Sequence, residues 1–381
     1  MTIFKAADRL NLPAYPFADL ERQAAKRRSE GKPLYNLSIG DPDLPPPQYL
    51  VDAIKSALEV DRSHLYPSSV GDLEVRKSVA VWFKLRFNIE IDPVTQVCLL
   101  IGGKEGLTQI SRAVVNPGDV VAVPDPAYPV YARAGCQFVD GRLMKIPLNV
   151  ENGFLPALEN MDEVRLLFLN YPNNPTGAMA TDEFMLQLGK MVDANKNMTL
   201  AYDMAYSEVW FDRAPRSILE FTSNAVEVFS LSKMANATGY RIGFVVGEPE
   251  RISAIRRVKE EVDSGAPLPF QMALKAMLDS YQQNNPPTTI KGNLAIIRER
   301  KQKIESALKN AGYRVFDSPA TFYVWFETSG DETKFVARAL HKGVLLTPGS
   351  GFGEGGKGWA RASVTASEES IDAAAEILAS L

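Results

Sequence analysis

Cysteine and histidine are scarce in this chain, with two of each among 381 residues. Cys98 and Cys136 lie in apolar surroundings without metal-ligand spacing, so core packing is their expected role and no metal site is read. His64 and His341 form no H-E-x-x-H pair, and a Ser-His-Asp triad would rest on very few histidines. The base of any reaction here is expected to be another residue. No apolar run approaches the roughly 20 residues of a membrane helix. The first nine residues lack the hydrophobic stretch of a signal peptide, so a cytoplasmic protein is expected. Neither sign of charge dominates. Lys and Arg number 42 against 46 Asp and Glu, and the resulting net charge of −4 argues against a nucleic-acid surface.

What is present is an ordinary globular balance, 45% hydrophobic and 23% charged, in a chain long enough for two domains. Residues 1–45 read as an arm and a first helix, 18–31, contributing to a small domain. Apolar residues at helical spacing indicate helices over 48–58 and, after a possible Asp72 cap, through Val75, Val79 and Trp82. Then short apolar runs follow, at 97–101, 120–123, 166–169, 198–202 and 226–229, each closed by a polar, Gly-rich or Pro-rich loop. Runs apolar on both faces and separated by helix-length segments indicate an α/β fold with a mostly parallel sheet covered by helices. The stretch Gln282-Gln283-Asn284-Asn285-Pro286-Pro287 breaks the chain, closing a large domain at 46–285. Beyond it, a helix through Ile290, Leu294, Ile297, Ile304 and Leu308, strands at 321–326 and 344–346 and a helix at 371–378 form a smaller α+β domain, 286–381.

The chemistry concentrates after the strands. Ser230-Leu231-Ser232-Lys233, followed by Arg241, places two hydroxyls, an amine and a guanidinium in one turn. Such a set suits a phosphorylated carbonyl cofactor, the amine forming a Schiff base and the other groups holding phosphate. Asn174, Asp203 and Lys233 stand 29 and 30 residues apart, close to a βαβ step of ~30 residues. In doubly wound sheets ligands bind outside the carboxyl ends of strands, so these loops are expected to share one crevice. The cofactor implied is pyridoxal 5′-phosphate. Lys233 supplies the amine and Asp203 pairs with the pyridinium nitrogen. Gly102, Gly103 and Lys104 offer a phosphate-binding turn at a helix start, with Ser230, Ser232 and Arg241. Tyr128 stacks on the ring, and Asn174 and Tyr206 bond its phenolic oxygen. Singly, each has a plainer role: Asp203 as a turn or cap residue, Tyr128 as packing, Arg361 as a solvated or ion-paired side chain. Together, in this order, the plainer roles require too many coincidences.

Two patterns mislead. Gly351-Phe352-Gly353-Glu354-Gly355-Gly356 fits G-x-G-x-x-G but opens no helix in a βαβ unit, and Gly103-Lys104 is followed by Glu105, where a Walker A loop needs Ser or Thr.

The motifs Asn170-Tyr171-Pro172-Asn173-Asn174-Pro175-Thr176-Gly177, Asp203-Met204-Ala205-Tyr206 and Ser230-Leu231-Ser232-Lys233 with Arg241 resemble the class I/II aminotransferases, fold-type I pyridoxal-phosphate enzymes of the aspartate aminotransferase superfamily. Residues 39–47, 102–107, 125–131 and 262–265 look most like the LL-diaminopimelate aminotransferase-like branch. The resemblance implies a homodimer with shared active sites, Tyr66 reaching the partner's cofactor phosphate. It also implies that Arg361 binds the substrate α-carboxylate, near Gly40 and Asn174. Met234 and Tyr240 depart from the threonine and tryptophan common in the family, which bears on substrate preference more than on the cofactor. The activity implied is ping-pong transfer of an amino group between an L-amino acid and a 2-oxo acid. The alternatives within the fold are a C–S β-lyase and an aminocyclopropane-carboxylate-synthase-like enzyme. A non-catalytic regulator on this fold is a more distant one, since the sheet-domain motifs begin too early for an N-terminal DNA-binding region.

Overall fold

The structure, a computed structural model, describes residues 4–10, 18–283 and 285–381. After a helix (Ala18–Ser29) and a short strand β1 (Tyr35–Asn36), two helices (Gln48–Leu58 and Leu73–Phe87) lead to the central sheet. Asp72 caps the second, its carboxylate accepting from Glu74 N. The sheet has seven strands: β2 (Val97–Leu100), β3 (Val120–Asp125), β4 (Arg142–Pro147), β5 (Val164–Asn170), β6 (Thr199–Asp203), β7 (Ala225–Ser230) and β8 (Gly243–Gly247). Their spatial order is β2-β8-β7-β6-β5-β3-β4, and only β8 runs antiparallel to its neighbours.

Alternating side chains feed two cores, which explains why these strands are apolar on both faces. Leu99, Leu167, Leu169 and Phe229 join a cluster built around Trp82 and the helices Leu73–Phe87, Asp182–Ala194 and Leu268–Asp279. Trp82 meets Phe229 and Tyr281 edge-on there, at ring distances of 5.4 and 5.8 Å. Cys98, Leu166, Phe168 and Val228 face the other cluster, under the helices Gly103–Val114 and Pro249–Val262.

Strand β4 is not among the expected runs. It is a sheet edge whose residues are mostly exposed, so it carries Arg142 and Lys145 and no apolar block. Two expected strands shift for local reasons. Thr321 has φ +63°, so β9 (Tyr323–Glu327) starts two residues after the expected 321. Of the 344–346 run, Val344–Leu345 form β10, parallel to β1, and a separate β11 (Thr347–Pro348) follows, antiparallel to β12 (Trp359–Ser363). Strands β11, β12 and β9 form a three-stranded sheet. Its core includes Ile304, Leu308, Phe326, Phe335 and Ile371, from the helices Thr288–Asn310, Glu332–Lys342 and Glu368–Leu378. Leu37 enters that core, just after β1, which pairs with β10. Of the expected break at 282–287, residue 284 lies outside the described residues.

At the carboxyl ends of the parallel strands the register aligns the chemistry. Asn170 is opposite Asp203, Asp203 is opposite Val228, and the turn carrying Lys233 follows β7 directly.

Candidate active site

A cavity of about 740 Å³ opens where β5, β6 and β7 end, and residues of the smaller unit close its far side. Lys233 sits on the one-turn helix Leu231–Met234 and donates from Nζ to Gly40 O at 2.5 Å. Burial lowers its pKa to about 8; Asp41 opposes the shift, while Arg361 and Arg241 reinforce it. A usable fraction of the amine is therefore neutral near physiological pH, as a nucleophile or base requires.

Asp203, also buried, ends β6. Its Oδ1 accepts from Ala205 N at 3.0 Å and its Oδ2 from Tyr131 Oη at 2.7 Å. Burial pushes its pKa up to about 6 against those two hydrogen bonds, so it is ionised at neutral pH. Asn170 braces the neighbouring loop: its Nδ2 donates to Asp203 O, and its Oδ1 accepts from Asn174 N. Tyr128 and Tyr206 line the cavity as well. The Tyr128 ring meets Tyr131 edge-on at 5.8 Å, and the Tyr206 and Tyr323 hydroxyls are 2.8 Å apart.

The residues expected to bind the phosphate lie beside them. Gly102 caps the helix Gly103–Val114 with φ +83°, and a Cβ there would lie 2.6 Å from Arg241 Nη2, so only glycine fits both the turn and the neighbour. Arg241 donates from Nη1 to Thr238 O at 2.8 Å and makes a longer 3.5 Å contact to Ser232 Oγ. Gly103, Lys104, Ser230, Ser232, Thr238 and Arg241 all line the cavity.

Arg361 comes from β12, across from Trp325 of β9. Its Nη1 donates to Asn174 Oδ1 and its Nη2 to Ser38 O, each at 2.7 Å. The guanidinium carbon lies 4.2 Å from the Tyr323 ring centre and 4.7 Å from that of Phe352. Both hydrogen-bond acceptors are neutral, and Nε is buried with no partner among the described residues. A buried cation so arranged is prepared for an anion. Gly40 is confined too, because a Cβ on it would collide with Tyr323 Oη.

Two sequence-derived residues do not line the cavity: Gly102, which caps the helix Gly103–Val114, and Tyr66, which is 89% exposed and stands apart from the rest. The lining also takes in residues outside the sequence-derived set, among them Tyr131, Thr238, Tyr323 and Phe352. Tyr131 lies on the short helix Val130–Arg133 that follows Tyr128, within the 125–131 stretch already noted in the sequence. Phe352 belongs to the G-x-G-x-x-G decoy. That loop is two 3₁₀ turns, and Gly355 N donates to Asp125 Oδ1 at 2.9 Å. Its glycines thus permit close packing on β3.

The donor set fits pyridoxal phosphate: a buried amine of lowered pKa, a buried carboxylate held by two donors, a glycine turn at a helix start beside an arginine, and an arginine with an orphaned N–H. Among the described residues no group of three His, Cys, Asp or Glu could hold a metal ion, and no helix is long and apolar enough to cross a membrane.

The family model described as "Aminotransferase class I and II" matches residues 32–378. An LL-diaminopimelate aminotransferase of Aquifex aeolicus is 42% identical over 394 aligned positions, covering 100% of both chains. The substrate-bound structure of BacF from Bacillus subtilis superposes with a TM-score of 0.91 at 32% identity, over 100% of this chain and 98% of that one. An aminotransferase structure from Staphylococcus aureus gives 0.88 at 29% identity, over 99% of each.

Proposed function

The chain belongs to the class I and II aminotransferases and is a pyridoxal-phosphate-dependent transaminase; we propose that its Lys233 cavity takes LL-diaminopimelate or an aspartate-like dicarboxylate as amino donor and a 2-oxo acid as acceptor. When bound, the cofactor supplies an electron sink that stabilises negative charge at the substrate Cα. Every other part of the chemistry falls to the chain. Lys233 holds the cofactor, and its freed amine then moves the proton from the substrate Cα. Asp203 keeps a proton on the ring nitrogen, and Tyr131 keeps Asp203 in place. Tyr128 covers a ring face, while Asn174 and Tyr206 serve the phenolic oxygen. Gly102, Gly103, Lys104, Ser230, Ser232 and Arg241 bind the phosphate.

The observation that carries this reading is the pairing of roles in one cavity. A buried amine titrating near 8 and a guanidinium satisfied only by neutral acceptors, Asn174 Oδ1 and Ser38 O, line the same space. With Gly40 and Asn174 alongside, Arg361 fixes the α-carboxylate and so the direction of the Cα–H bond. Glu21 and Arg133 also line the cavity, and charges of both signs suit a donor whose far end is itself an amino acid group. The LL-diaminopimelate name of the 42%-identical relative supports the same substrate.

The proposal includes a homodimer in which Tyr66 serves the partner's phosphate. Supporting it, Leu58, Val60, Leu65, Tyr66 and Leu73 expose an apolar stretch that a second copy would cover. The division into 1–45, 46–285 and 286–381 belongs to it too, supported by separate cores for the two sheets. So does a cytoplasmic location, supported by two free, buried cysteines.

Single-turnover absorbance against a panel of amino acids tests the reading. LL-diaminopimelate should convert the cofactor to its aminated form and release a 2-oxo acid without ammonia. Ammonia and pyruvate produced without an acceptor would instead mark a lyase.

A further inference from the structure

Glu105 occupies the third position of the helix Gly103–Val114, whose first turn is the phosphate cradle. The positive end of a helix attracts anions, so a carboxylate there competes with the phosphate for the same field and repels it. Glu105 is turned away. Its Oε2 accepts from Ile101 N at 3.0 Å and its Oε1 lies 3.5 Å from Lys259 Nζ, and the cavity lining includes Gly103 and Lys104 but not Glu105.

Lys259 has 0% of its side chain exposed. Its Nζ also contacts both oxygens of Asp263, at 2.8 and 2.9 Å, and Asp263 Oδ1 accepts from Gly265 N at 2.7 Å. A fully buried ammonium is expensive in free energy, and an apolar side chain would fill the space between helices at least as well. Burial raises the Glu105 pKa, and Lys259 is the main influence opposing that rise.

We propose that Lys259 is a positioning residue for the cofactor phosphate: it holds the Glu105 carboxylate back against Ile101 N, so that the cradle presents donors and no negative charge. This rests on the reading of the 102–104 turn as the phosphate site.

The test compares two ligands that differ only in the phosphate. Enzyme stripped of cofactor is titrated at pH 8.5 with pyridoxal phosphate and with pyridoxal. Lys259→Met is expected to weaken pyridoxal phosphate at least tenfold while changing pyridoxal less than twofold. Adding Glu105→Gln in the same chain is expected to restore most of the loss, because the repelling charge is gone. Glu105→Gln alone should bind pyridoxal phosphate as tightly as the parent or tighter, which keeps the proposal testable if Lys259→Met does not fold. An equal loss for both ligands, no recovery in the double variant, or a tenfold loss in Glu105→Gln would overturn it. A parent enzyme that binds both ligands equally would overturn the cradle assignment, and the proposal with it.

Discussion

Tyr131 Oη donates to Asp203 Oδ2 across 2.7 Å inside the buried end of the sheet, and the Tyr131 ring stacks on Phe168 at 5.0 Å. The carboxylate proposed to serve the ring nitrogen is thereby held from a residue that also braces Tyr128, the side chain proposed to stack on the ring.

Two variants separate the charge of Asp203 from its placement. Asp203→Asn is expected to keep the fold and lose kcat by a hundredfold or more, since an amide cannot sustain the pyridinium proton and ~3 kcal/mol is already about a hundredfold. Tyr131→Phe removes one hydrogen bond to a charged group, about 1.5–3 kcal/mol, and should lower kcat roughly tenfold to a hundredfold. Steady-state kinetics with cofactor content measured in each variant decides this. Near-normal turnover in Asp203→Asn would remove the electron-sink role.

The Lys233 amine gives a pH dependence with a definite sign. Its folded pKa, about 8, lies below that of an ordinary lysine, so the amine is protonated below pH 8 and neutral above it. In cofactor-free enzyme, acylation of Lys233 should rise with pH to half its maximum near 8, well below the ~10.4 of an unperturbed lysine. Peptide-resolved mass spectrometry measures it. A Lys233 midpoint above 10 would contradict the burial argument.

Arg361 presents two parallel donors that match a carboxylate, which lysine cannot reproduce. Truncating one partner of a buried charge pair costs about 2–5 kcal/mol, so Arg361→Leu should cut kcat/KM for amino acids by roughly thirtyfold to several thousandfold. Arg361→Lys should recover only part. Amines without an α-carboxylate should be poor donors for the parent and indifferent to the change. An unchanged kcat/KM for amino acids in Arg361→Leu would refute the assignment.

Tyr66 outside its own cavity suits service to a partner's site. An inactive Lys233→Ala chain mixed with an inactive chain carrying a disruptive Tyr66 change should regain partial activity, because heterodimers then contain one site free of both lesions. No recovery despite demonstrated subunit exchange would count against sharing.

Much of the site was legible because strand-end residues declare themselves in order along the chain. Asn174, Asp203 and Lys233 each follow an apolar run, and parallel pairing of β5, β6 and β7 aligns the ends of those runs. What stayed hidden came from elsewhere. Tyr323 and Phe352 reach the cavity from the smaller unit, through packing that no local pattern encodes. Phe352 was further disguised by glycines whose purpose is contact with Asp125. Strand β4 lacked an apolar run because a sheet edge need not be buried. The antiparallel course of β8 was equally invisible, since direction leaves no mark on an apolar run such as 242–246.

The central claim is that Lys233 holds the cofactor. Borohydride reduction of the holoenzyme, followed by peptide mapping, tests it most directly. A phosphopyridoxyl label on Lys233 is the expected result; a label on Lys104, the other lysine lining the cavity, would contradict the account.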